Sequence, residues 1–181
     1  MRILLLTVAL CLAALAGASP PSAAPGFALK SGAFTPGQPI PARHTCDGQD
    51  LSPELHWSGA PENTRAFALL CDDPDAPSGT WVHWVVYDLP PAAVSLPEGS
   101  GRSVQLPAGS REGLNGWGKT GYRGPCPPPE YEPTTHRYFF KLYALDTLLG
   151  LPEGALREEV EAAIEGHVLA TAELYGTYSR D

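Results

Sequence analysis

The stretch Cys71–Asp88, CDDPDAPSGTWVHWVVYD, decides how this chain is read. It starts as the end of an apolar run, Ala66–Cys71, with the length and composition of a buried strand. Asp72 to Gly79 then sets two prolines and three carboxylates in eight residues. Neither a helix nor a central strand tolerates that, because proline lacks the N–H that both ladders need. A second apolar run, Trp81–Tyr87, follows at once. A hairpin-like return through a stiff acidic loop brings Asp73, Asp75 and His83 close together. Strict alternation puts Val82, Trp84 and Val86 on one face of the second strand and Trp81, His83, Val85 and Tyr87 on the other. Both faces are apolar, the mark of a strand covered on two sides. His83 must therefore find a partner or a ligand, since an unpaired buried polar group costs about 1–3 kcal/mol.

Outward from this centre, residues 1–18 read as an export signal that is removed. Arg2 supplies the positive end, Ile3–Leu15 the apolar core, and Ala16-Gly17-Ala18 a small-residue cleavage site. The apolar core is short of the ~20 residues a membrane span needs. Cys11 lies in mid-core behind a bulky Leu10 and does not read as a lipidation site. The expected location is secreted or periplasmic. Residues 19–26 form a Pro/Ala/Ser lead-in, and residues 27–181 suit a single domain. The net charge of −8 repels polyanions, which argues against nucleic acid as a partner, while a small anion answers to local donors instead. Of the cysteines past the signal, Cys71 ends a buried strand and is expected to stay free, whereas Cys46 and Cys126 sit in loops and are candidates to bridge.

With 20 prolines and 19 glycines, and turn signals about ten residues apart, the chain favours an all-β core. Strands are expected over Phe27–Phe34, Ser52–Trp57 and His136–Leu145, the last with His136, Tyr138, Phe140 and Leu142 on one face. Pro152–Ile164 reads as a helix with a Leu156/Val160/Ile164 stripe and Gly166 as its stop. Val168–Tyr178 reads as a last strand or a short helix, and Pro90–Pro107 as a long connection. Gly113 to Thr120 matches G-x-x-x-x-G-K-[ST] literally, but no apolar strand precedes it and prolines follow, so it reads as a solvated loop, not a nucleotide site.

Asp73, His83, His136 and Tyr138 are the polar groups whose combination offers chemistry: two imidazoles, a phenol, and a carboxylate able to orient an imidazole. Gly124 before Pro125 lets a backbone approach a ligand closely. Singly, each has a plainer role, the histidines as satisfied core residues and Asp73 as a turn cap. Together they suit a small phosphate or carboxylate. There is no G-x-S-x-G elbow and no H-E-x-x-H, so no activated nucleophile and no cofactor are expected.

Asp73-Pro-Asp-Ala-Pro77, Trp81-Val-His83, Gly124-Pro-Cys-Pro127 and His136-Arg-Tyr138 stand in the order and approximate spacing of one known family. On these motifs the chain resembles the phosphatidylethanolamine-binding, or Raf-kinase-inhibitor-like, family. Thr45-Cys-Asp-Gly48, Trp57 and Gly176-Thr-Tyr-Ser-Arg180 resemble its bacterial YbhB/YbcL branch. The resemblance spans about residues 27 to 180. It implies a mainly β fold, with a large antiparallel Greek-key sheet packed on a smaller one and one or two C-terminal helices. It also implies a non-enzymatic pocket for phosphate-like anions or phosphorylated headgroups. Carried over, the pocket is Asp73, Pro77, Trp81, His83, Gly124, Pro125, His136 and Tyr138, with Ala76–Pro77 cis, and Tyr175 or Tyr178 as the closing aromatic. Val82 and Cys126 replace residues of eukaryotic members, which weakens any transfer of kinase regulation. Two other functions compete: an inhibitor of a protease or kinase acting through the pocket mouth, and a hydrolase or metal enzyme using Asp73, His83 and His136.

Overall fold

The computed structural model describes residues 26–180. The expected export signal and most of the expected lead-in lie outside the described residues. The fold is mainly β, built from eight strands and one α-helix in two antiparallel sheets. A three-stranded sheet has the order β1 (Ala28–Ser31), β2 (Leu55–Ser58), β5 (Ser95–Leu96). A five-stranded sheet has the order β6 (Arg111–Glu112), β4 (Trp81–Leu89), β3 (Ala66–Asp73), β7 (Thr135–Leu145), β8 (Val168–Ser179).

Strand β3 is buried along its whole length because both faces of the large sheet are covered. On one face Phe67, Leu69 and Cys71 pack with Trp84 and Val86 of β4, Tyr138, Phe140 and Leu142 of β7, and Leu29, Leu55 and Trp57 of the small sheet. On the other, Ala68 and Leu70 pack with Val85, Tyr87, Leu145 and the helix residues Val160 and Ile164. Each buried large apolar side chain contributes about 1.5–3 kcal/mol, so these two layers are what holds the sheets together.

The expected alternation fails at two places in β4, one opposite Phe67–Leu69, which puts Leu89 on the side of Trp84 and Val86, and one beside the site. Cys71 pairs with Trp84, but Asp72 pairs with Val82, leaving His83 as an extra residue. This β-bulge resets the faces. Val82 joins Val85 and Tyr87, while the His83 ring meets Tyr138 edge-on at 5.1 Å on the small-sheet side. The carbonyls freed at the bulge are taken by the segment 113–123, through Gly116 N to Val82 O (2.8 Å) and Arg123 N to His83 O (3.1 Å).

Other boundaries differ for local reasons. The α-helix spans only Arg157–Ile164. Before it, Gly154 has φ +82° and donates to the Glu112 carbonyl, and Leu114 donates to Ala155, so this stretch is tied to β6 instead of coiling. The Glu159 carboxylate accepts the Leu156 amide at 2.8 Å and starts the helix; Leu156 itself is exposed, outside the expected stripe. The last segment is strand, and Gly166 (φ +81°) ends the helix as expected. Two short strands, β5 and β6, lie in or near what read as structureless connection. Cys46 and Cys126 are bridged, with Cα atoms 5.4 Å apart, and Cys71 is free and buried. Ala76–Pro77 is trans: among the described residues only Glu132–Pro133 is cis.

Candidate functional site

The end of β3 and the starts of β4 and β7 meet at one end of the large sheet. There a cavity of about 170 Å³ is lined by Asp73, His136, His83 and Trp81, by Ala76, Pro77 and Ser78 of the β3–β4 turn, and by Trp117, Cys126, Pro127 and Pro128. Two loops hold its walls. The Asp75 carboxylate accepts the Arg137 backbone N–H (2.9 Å), Nε (2.8 Å) and Nη2 (2.7 Å), which fastens the turn to β7. This contact pulls the Asp75 pKa below its ordinary value and turns the residue away from His83, where the sequence had suggested it would sit. The opposite wall is anchored by the Cys46–Cys126 bridge and by Cys46 N donating to the Pro125 carbonyl at 3.0 Å.

Asp73 and His136 form the floor. Asp73 Oδ1 caps the turn by accepting Asp75 N at 2.9 Å, and Oδ2 lies 2.7 Å from His136 Nδ1. Both residues are buried. A carboxylate accepts, so His136 Nδ1 carries a proton and its other nitrogen, Nε2, is left for something else. Nε2 is buried and has no hydrogen-bond partner among the described residues. Buried polar atoms are rarely left so, and the exception asks for a reason.

His83 is held the same way by a different group, with Nδ1 2.6 Å from the Arg123 carbonyl oxygen. In the neutral ring that contact fixes the proton on Nδ1 and the lone pair on Nε2. Burial pushes the His83 pKa down, against a smaller upward pull from the Arg123 carbonyl and the Asp73 and Asp72 charges. Behind the histidines the Tyr138 hydroxyl is buried and has no hydrogen-bond partner among the described residues. Burial, then the nearby Asp73 charge, raises its pKa far above the ordinary phenol value, so it stays a neutral O–H.

The outer wall is aromatic. Trp117 meets Trp81 edge-on at 5.4 Å and His83 at 5.3 Å, and the Arg123 guanidinium lies 5.0 Å from its ring. Asn115 shapes the loop that carries it: its Oδ1 accepts the amides of Trp117 and Lys119, and its Nδ2 donates to the Gly121 carbonyl. Gly116 lets the loop approach Trp81 closely, since a Cβ would come within 2.5 Å of that ring and force it to shift. The segment that read as a solvated loop therefore supplies a pocket wall.

Of the residues singled out from sequence, Asp73, Pro77, Trp81, His83 and His136 line the cavity. Tyr138 stands one layer behind, against both imidazole rings. Gly124 and Pro125 do not line it. Gly124 is small for another reason: a Cβ would fall 2.1 Å from the His44 carbonyl, and its N–H donates to Asp50 Oδ1 at 2.7 Å. Between the two candidate aromatics, Tyr178 pairs with His136 across β7 and β8 and donates to Asp47 Oδ2. Tyr175 instead stacks on Phe139, on the far face of β7. Trp117 and Pro128 had no periodic or spacing signal.

Among the described residues no group of three His, Cys, Asp or Glu side chains is placed to hold a metal ion, and no helix is long and apolar enough to cross a membrane.

A two-sheet β fold with a small, mostly apolar notch lined by two oriented imidazoles defines a class of ligand-binding domain. Comparison with known proteins gives that class its family: residues 30–179 match the family described as phosphatidylethanolamine-binding protein, and the chain belongs to it. A UPF0098 protein of Methanothermobacter thermautotrophicus is 51% identical over 152 residues, covering 84% of this chain and 98% of the relative. One from Aquifex aeolicus is 47% identical, covering 83% and 87%. Two crystal structures share the fold. A phosphatidylethanolamine-binding protein homologue of Chlamydia trachomatis has a TM-score of 0.78 at 41% identity, covering 86% of this chain and 99% of its own. E. coli YbcL, described as a member of the mammalian PEBP family, has a TM-score of 0.80 at 33% identity, covering the same shares.

Proposed function

We propose that the chain is a non-enzymatic binding protein whose cavity takes a small phosphate-like anion or the phosphoryl end of a headgroup. The observation that carries this reading is the unpartnered, buried Nε2 of His136, oriented by Asp73. A phosphate monoester brings both acceptor oxygens and an acidic proton. When that proton sits on Nε2, Asp73 compensates the imidazolium and the anion receives a charge-assisted hydrogen bond. The His83 lone pair accepts from a P–OH where one remains, as on inorganic phosphate, since H2PO4− keeps one P–OH after giving a proton to His136. The volume of about 170 Å³ is below the ~300 Å³ at which drug-sized sites begin, which favours one phosphoryl group over a whole lipid.

Thermal unfolding with and without phosphate and O-phosphoethanolamine tests this. Ligand at about 100 times its Kd raises stability by about 2.7 kcal/mol. His136→Ala should abolish the shift; equal shifts in both proteins would refute the assignment. One wall of the cavity, Trp117, is 37% exposed, which supports a protein-docking mouth as the second reading. Protease or kinase inhibition that survives His136→Ala would favour it. A screen of ester and phosphoester substrates tests the enzyme reading: turnover lost in His83→Ala would establish it. Export to an oxidising compartment is part of the same proposal, supported by the Cys46–Cys126 bridge.

A further inference from the structure

The G-x-x-x-x-G-K-T pattern is left unused by the pocket except through Trp117, yet its end borders a second cavity. This cavity, of about 230 Å³, is lined by Arg102, Lys119 and Arg123 together with Asn115, Thr120, Gly121 and Tyr122. In a chain of net charge −8, three cations converge here. One carboxylate, Asp50, faces them, and it is already engaged: Oδ1 accepts Gly124 N at 2.7 Å and Oδ2 accepts Arg102 Nη1. Arg123 Nε stands 4.0 Å from Asp50, and Lys119 has no ion-pair partner among the described residues.

The backbone gives an independent sign. The amides of Thr120, Gly121 and Tyr122 donate to no acceptor among the described residues, and Gly121 and Tyr122 are buried. Their neighbours are satisfied, Lys119 N by Asn115 Oδ1 and Arg123 N by the His83 carbonyl. Residues 120–122 line the same cavity as the three cations, and N–H groups without a protein acceptor beside cations suit an oxyanion.

We propose that Arg102, Lys119, Arg123 and the 120–122 amides form a second oxyanion site, for one phosphate-type group, separated from the first by the Trp117–Arg123 stack. It does not depend on the histidine pocket. The flanking sequence still excludes a nucleotide, since no helix follows Thr120 to meet a polyphosphate.

The test is a titration of the full-length protein with inorganic phosphate, and separately with phosphatidylglycerol vesicles, followed by amide resonances. Saturable shifts at residues 119–122 are expected with phosphate, at about 1 mM. Lys119→Ala and Arg102→Gln should each weaken them roughly tenfold while leaving the responses of His83 and His136 intact. A response to vesicles that also needs Lys119 assigns the phosphate group to a lipid; a response to phosphate alone assigns it to a free oxyanion. No saturable shift at 119–122 with either titrant, or shifts unchanged in both variants, overturns the proposal.

Discussion

Asp73 Oδ2 and His136 Nδ1 lie 2.7 Å apart although 63 residues separate them in the chain, because antiparallel pairing of β3 with β7 brings the two strand ends together. Asp73→Asn weakens the acceptor that orients the His136 ring. We expect this variant to lose about 1–3 kcal/mol of stability and most of the phosphate-induced rise in Tm. Denaturant unfolding and ligand-dependent melting measure the two effects separately.

Stability should depend on His83 in a defined pH window. Its pKa is depressed by burial in the fold, so below the ordinary histidine value of about 6.5 the unfolded chain binds more protons than the folded one. Its stabilising effect is complete above that value and is lost as pH falls through the depressed one. His83→Gln, which keeps a donor for the Arg123 carbonyl, should flatten the fall in Tm on acidification. An unchanged profile would mean that His83 titrates alike in both states.

On the opposite face of the sheet Asp72 is 1% exposed and meets Arg157 at 3.1 Å and Lys141 at 3.8 Å. Asp72 Oδ1 and Arg157 Nε remain unpartnered, so the pair is incompletely satisfied. Arg157→Ala should cost about 3–5 kcal/mol by stranding the carboxylate, whereas the double change Asp72→Leu with Arg157→Met should be close to neutral. Arg157→Ala should leave ligand response unaltered, since Arg157 does not line the cavity.

The Cys46–Cys126 bridge closes a loop of 80 residues and backs one wall of the cavity. Replacing both cysteines by serine should cost about 4 kcal/mol on the chain-entropy account. It should also weaken ligand binding more than the Asp72/Arg157 change does. Melting with and without phosphate distinguishes these contributions.

Gly116→Ala introduces a methyl against the Trp81 ring without backbone strain, since Gly116 is absent from the positive-φ glycines. The indole must shift, and we expect a changed tryptophan emission and a reduced ligand response with Tm lowered by only a few degrees.

The strands were legible where side-chain alternation is regular. His136, Tyr138, Phe140 and Leu142 share a face as the sequence reads. Alternation could not show the bulge at His83, because one extra residue is a matter of pairing with β3 and leaves no mark in the apolar pattern of β4. Trp117 was out of reach for a related reason. Its place is set by Asn115 and by hydrogen bonds to the bulge, long-range partners that a loop sequence does not announce. Gly124 illustrates the reverse error: the need for a small residue was read correctly, but what approaches it is the His44 carbonyl.

The irregular pairing beside His83 makes one wall of the cavity removable by a single deletion. Loss of Val82 would let β4 run in plain register against Asp72, carrying one imidazole to the helix-covered side while leaving Trp84, Val86 and their neighbours where they are. Such a shortened chain would keep its strand order while the cavity lost one of its two imidazoles, so sheet architecture and site are written at different backbone positions.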